Sequence, residues 1–261
     1  MMTTYKFPHN LREGLIASLP EETSQHGETP TAGQMYLPTP HVKALHPNNT
    51  LIQGMRGSGK SFWFLALQSS ELRTLIGAQV GLDANTLVTV GFGQVPGGNQ
   101  FPSKDTLISL IKDGCEPRRI WQAVVFRQIL GDLAPHEFKY LTAWKTRIQW
   151  IQDHPESMDE HLYNADIQLD AQRQHHIVLF DALDRTADDW STMNALVKGL
   201  LQVVLETRSF RRIRLKVFAR PDQLEDPFVA NFPDASKVMN QKVNLDWPRR
   251  ELYGLLWQYL A

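Results

Sequence analysis

Gly54-Met55-Arg56-Gly57-Ser58-Gly59-Lys60-Ser61 is a complete G-x-x-x-x-G-K-[ST] string. The glycines let the backbone turn tightly and bring its N–H groups onto phosphate oxygens. Lys60 would reach the β- and γ-phosphates of a nucleoside triphosphate, and the Ser61 hydroxyl would sit on Mg²⁺. Phe62 opens a helical pattern running to Leu75, so the positive end of a helix would face the same anion.

A second chemical stretch is His175-His176-Ile177-Val178-Leu179-Phe180-Asp181-Ala182-Leu183-Asp184-Arg185. Four apolar residues ending in an acid suit a strand buried on both faces. Asp181 at its carboxyl end would hold Mg²⁺, directly or through water. Asp184 would orient or deprotonate an attacking water. The plainer reading of Asp184 and Arg185 is a helix N-cap and a surface charge. Arg220 follows another apolar strand pattern, Ile213–Ala219, and projects at the same sheet edge as the glycine-rich loop. An arginine there can sense or neutralise a γ-phosphate. Arg208, Arg211, Arg212 and Arg214 read as a solvated strand entrance, or supply one arginine acting in trans. His154 and His161 flank Asp159 and Glu160 without the spacing of a metal-binding helix. Cys115, the one cysteine, sits in a turn-like stretch with no evident His neighbour and reads as incidental.

These groups need elements to hold them. Thr50 to Ile52 reads as the strand entering the loop. Asn85 to Phe92 alternates as a strand, and glycines and prolines from Gly93 to Pro102 force a loop. Ser103 is the expected N-cap of a helix over Lys104–Lys112. Residues 117–154 are helical in pattern, and Pro155 to Gln174 reads as a linker or an exposed helix. Asp188 or Asp189 caps a helix ending near Thr207, whose apolar stripe includes Trp190. Val243 marks a closing strand. Pro248 starts a terminal helix with Leu252, Leu255, Leu256 and Tyr259 on its apolar face. That face calls for a partner, as in the front part of a longer polypeptide. Residues 1–48 read as a leader with a short helix over Asn10–Leu19, and 49–261 as the core. His41 to Pro47 is the expected side of an adenine ring.

At 261 residues, with 42% hydrophobic and 21% charged content, the chain can bury a sizeable core. A formal net charge of -1 argues against a uniformly basic nucleic-acid binder, though not against a local basic patch. No apolar run approaches a membrane span and the N-terminus has no signal-peptide pattern, so a cytoplasmic setting is expected.

The glycine-rich loop, the strand ending at Asp181, the strand ending at Arg220 and the closing strand at Val243, in that order, resemble the ASCE division of P-loop NTPases. Asp181-Ala182-Leu183-Asp184-Arg185 and Arg220-Pro221 resemble the STAND and KAP-type ATPases, relatives of AAA+ proteins. The chain departs from many AAA+ members in carrying Ala182, not Glu, directly after the Walker B Asp. The resemblance implies a three-layer α/β/α sandwich with a mostly parallel sheet. It implies ATP and Mg²⁺ as ligands, slow hydrolysis, and a switch in a homo-oligomer with a protein effector, in bacterial signalling or anti-phage defence. No N-K-x-D string is present to read guanine. The alternatives are a nucleotide-gated binding module with little turnover, a small-molecule kinase, and a DNA-dependent ATPase using the basic residues from Arg208 to Lys216.

Overall fold

A computed structural model describes residues 13–14, 28–83 and 85–260. The helix expected over Asn10–Leu19 lies outside the described residues except for Glu13 and Gly14. In chain order come helix α1 (Thr39–Leu45), strand β1 (Leu51–Gln53), and helices α2 (Lys60–Gln68) and α3 (Ser70–Val80). Next are β2 (Leu87–Phe92), α4 (Lys104–Lys112), α5 (Pro117–Leu130), α6 (Trp144–Asp153) and α7 (Pro155–Ala171). The chain continues through β3 (His176–Phe180), α8 (Trp190–Thr207), β4 (Ile213–Ala219), β5 (Val243–Asn244) and α9 (Arg249–Leu260).

The five strands form one sheet in the order β2-β3-β4-β1-β5. Every neighbouring pair is parallel. A parallel pair cannot be closed by a tight hairpin, so helices carry the chain back across the sheet. Strand alternation then divides the apolar residues between two cores. Leu51, Val178, Phe180, Leu215 and Val217 face the side covered by α5 and α8. Ile52, Ile177, Leu179 and Phe218 face the side covered by α1, α2 and α3. All of β3 is buried, which is why its sequence is an unbroken apolar run rather than an alternating one.

Local signals set several boundaries. Ser103 Oγ accepts the Thr106 N–H at 3.2 Å, and Asp189 Oδ1 accepts the Thr192 N–H at 2.8 Å. These caps start α4 and α8 where sequence reading places them. The helix expected from Phe62 to Leu75 is instead broken at Ser69. Its backbone is extended there and its hydroxyl accepts the Leu72 N–H at 3.3 Å, capping a new helix. The stretch read as a linker or exposed helix after Pro155 is helix α7, with Met158, Leu162, Asp166 and Leu169 buried. Trp190, expected on the apolar stripe of α8, is 57% exposed. Helix α9 turns Glu251, Gly254 and Gln258 towards the 33–36 segment. Glu251 accepts from Tyr36 at 2.8 Å, and Gln258 donates to the Met35 carbonyl at 2.8 Å. Leu252 and Tyr259 of its expected apolar face are therefore exposed.

Lys216 is the sharpest departure from the sequence reading. It is completely buried on the α1 side of β4 and is no part of a surface cluster. Its ammonium donates to the carbonyls of Ala44, His46 and Asn49 at 2.8, 3.0 and 2.7 Å, which uses each of its N–H groups. The bond ties the segment before β1 to the underside of the sheet. Among the described residues no helix is long and apolar enough to cross a membrane.

Candidate functional site

Because all the strands run the same way, the residues that follow them gather at one edge. The Gly54 N–H bonds the Ala219 carbonyl at 3.1 Å, and the Asp181 N–H bonds the Phe92 carbonyl at 3.0 Å. The glycine-rich loop, Asp181 and Arg220 therefore leave the sheet side by side. Gly59 turns the loop into α2 with φ 95°, a region closed to most side chains. A Cβ at Gly54 would meet Ser58 Oγ at 2.1 Å, so the loop folds back on itself only with glycine there.

Lys60 lies across the loop, donating to the Gly54 and Met55 carbonyls at 2.7 and 2.8 Å. Ser61 Oγ donates to Asp181 Oδ2 at 2.8 Å and accepts from Gln94 Nε2 at 3.1 Å. Met55, Arg56 and Gly57 are exposed at the loop tip, Ser58 is buried, and Phe62 packs edge-on against Trp63. Helix α2 has no side-chain cap, unlike α3, α4 and α8. Its first N–H groups are thus left to whatever approaches the loop. Gln53 Oε1 and Ser58 Oγ are buried there without a hydrogen-bond partner.

Charge is balanced across the site. Burial pushes the Asp181 carboxyl up, against hydrogen bonds from Ser61 and Ala182 and the Lys60 charge, which pull it down. Burial pulls the Lys60 ammonium down, and the Asp181 carboxylate opposes that pull. The Arg220 guanidinium is held up first by Asp222, which accepts from its Nε at 2.9 Å, and then by Asp184 at 3.4 Å. Asp184 itself lies in a short 3₁₀ turn, Leu183–Arg185, with a partly open side chain.

The structure thus brings Lys60, Ser61, Asp181, Asp184 and Arg220 to one place. It adds three residues that sequence reasoning missed. Gln94 stands in the loop after β2, a position the strand-end rule could have flagged. Asp222 follows Arg220-Pro221 directly. Trp247 has no signal in spacing; its indole donates to the Ser58 carbonyl at 2.9 Å and pins the loop from the tail side. The expectation for His41 to Pro47 changes. His41 is fully buried in α1, with Nδ1 accepting from Trp63 at 2.9 Å and Nε2 facing the Asp246 carbonyl at 3.2 Å. Both nitrogens are occupied, so it serves the core and leaves nothing for a base.

The surface arginines are also largely committed. Arg212 donates to Asp170 at 2.7 Å, Arg211 pairs with the same carboxylate at 3.6 Å, and Arg208 bonds the Lys237 carbonyl. Among the described residues no group of three or more His, Cys, Asp and Glu side chains is arranged to hold a metal ion. Comparison with known proteins brings no match: neither a protein-family model, nor a curated protein, nor a solved structure identifies the chain.

Proposed function

We propose that the chain is a P-loop NTPase of the ASCE division, akin to the STAND and KAP-type ATPases. In this reading it binds ATP with Mg²⁺, hydrolyses it slowly, and uses occupancy to switch a cytoplasmic protein assembly. One observation carries the proposal: Ser61 Oγ meets Asp181 Oδ2 at 2.8 Å beside a glycine-rich loop that opens an uncapped helix. The strand order adds support, since β4 stands as a further strand between the loop strand β1 and the acid-bearing β3.

The residues present fit such a ligand. The uncapped N–H groups and the unpartnered Ser58 hydroxyl suit phosphate oxygens. Ser61 and Asp181 are hard oxygen donors, and Mg²⁺ is ordinarily completed by substrate phosphates and water. When bound, Mg²⁺ supplies charge neutralisation at the phosphates. The backbone from Gly54 to Phe62 would position the triphosphate, and Lys60 would place its ammonium on it. Asp184 would orient the attacking water and accept its proton, while Arg220 would offset charge on the terminal phosphate.

A second reading, nucleotide-gated binding with little turnover, is favoured by two features. Ala182 occupies the position after Asp181, and Asp184 is already paired to Arg220 at 3.4 Å. The DNA-dependent reading loses ground because Lys216 is buried and Arg211 and Arg212 are paired to Asp170.

Titration with a fluorescent ATP analogue and Mg²⁺ tests binding. Lys60→Ala is expected to weaken affinity by about a hundredfold with an unchanged circular-dichroism spectrum. Unchanged affinity would refute the proposal. Phosphate release tests turnover: Asp184→Asn is expected to slow it by roughly 10²-fold or more. Equal, near-zero rates in wild type and variant would leave the gated-binding reading.

A further inference from the structure

The opposite edge of the sheet carries a different chemistry. A cleft of about 520 Å³ opens where β1 and β4 begin and where the chain enters β5. Two half-buried arginines, Arg208 and Arg214, and two exposed lysines, Lys43 and Lys242, line it. The remaining wall is mostly amide and hydroxyl, with Asn49 and Asn240 among it. No Asp or Glu and no aromatic ring is among the lining residues.

These cations are not paired away. Among the described residues none of the four forms an ion pair with a carboxylate. Arg214 uses Nε on the Asn48 amide oxygen at 3.0 Å and one terminal nitrogen on the Phe210 and Ile213 carbonyls at 2.6 and 2.8 Å. Those bonds fix the guanidinium in place without neutralising it. Arg208 is fixed in the same way by the Lys237 carbonyl. The nearest acid felt by Arg214 is Asp166, and that carboxylate is spent on the N–H groups of Arg211, Arg212 and Ile213. Like charges converging on a concave, low-dielectric wall concentrate positive potential there.

We propose that this cleft is a binding site for a small anion carrying two or more phosphate groups, separate from the glycine-rich loop. Guanidinium groups held by backbone carbonyls offer phosphate a fixed fork of donors. The lysines at the rim add mobile charge, and the amides supply further donors for ester or hydroxyl oxygens. The volume lies in the range of small-molecule sites. A nucleic-acid strand is disfavoured on two grounds. The wall has no aromatic ring on which a base would stack, and the charge converges in a cleft, not along a stripe. The proposal stands independently of the reading of the loop, since the two sites lie at opposite ends of β1 and β4.

Isothermal titration with inorganic tripolyphosphate, in wild type and in Lys60→Ala, tests it. Saturable binding with one equivalent is expected in both, with orthophosphate weaker. The exposed pair Lys43→Ala and Lys242→Ala, combined, is expected to weaken binding by about tenfold or more. Arg214→Gln is expected to do so as well, with melting temperature as the check on folding. Binding lost in Lys60→Ala but kept in the lysine double variant would assign the anion to the loop and overturn the proposal. Absence of binding overturns it outright. Tighter binding of a short single-stranded oligonucleotide, lost steeply with salt, would overturn it in favour of nucleic acid.

Discussion

His41 and His176 are held neutral by their surroundings. Trp63 donates to His41 Nδ1, so the ring's proton lies on Nε2 and points at the Asp246 carbonyl. A second proton would displace the tryptophan. Burial pulls both histidines from 6.5 to about 4. Between these values the unfolded chain binds more protons than the folded one, so stability is full above pH 6.5 and is lost as pH falls towards 4. Each contributes up to about 3 kcal/mol to that loss. Thermal melts from pH 7 to 4.5 are expected to show it, and His176→Gln, which does not titrate, to remove about half. Lys216 runs the same way at higher pH. Burial lowers its ammonium from 10.5 to about 7, so folding strengthens as pH rises from 7 towards 10. Three carbonyls nevertheless depend on it, and Lys216→Met is expected to cost about 3 kcal/mol in urea unfolding.

At the scale of elements, α7 secures the entrance of β4. Asp166 accepts three N–H groups there, from Arg211 at 2.9 Å, Arg212 at 2.7 Å and Ile213 at 3.1 Å. Asp166→Ala leaves those donors buried and is expected to cost about 3 kcal/mol, read as a lowered urea midpoint with unchanged slope. The sequence conceals this role, because an acid in a polar helix looks like a solvated charge until β4 is placed beside it. The same limit hid the break at Ser69 and the burial of Lys216, which depend on partners far along the chain. Features with local causes were readable: the Ser103 and Asp189 caps, the apolar run of β3, and β4 to the residue. In the candidate site, Lys60, Ser61 and Asp181 were legible because a motif and a strand end each mark a position. Gln94, Asp222 and Trp247 were not, since their approach is set by loop paths.

For the whole molecule, the parallel sheet sends the loop, the acid and Arg220 to one edge and the basic cleft to the other. If nucleotide occupancy switches an assembly, particle mass is the direct readout. Light scattering is expected to show a larger particle with a non-hydrolysable ATP analogue and Mg²⁺, and no change in Lys60→Ala. An unchanged mass in wild type would remove the assembly switch and leave nucleotide binding intact.

Strand β1 is only three residues long, yet it is central, and both its neighbours are made late: Leu51 pairs with Val217 and Ile52 with Val243. During synthesis the segment that feeds the glycine-rich loop therefore waits, unpaired, for almost all of the chain to leave the ribosome. A fragment ending before β4 retains every letter of the motif and lacks the scaffold that shapes it.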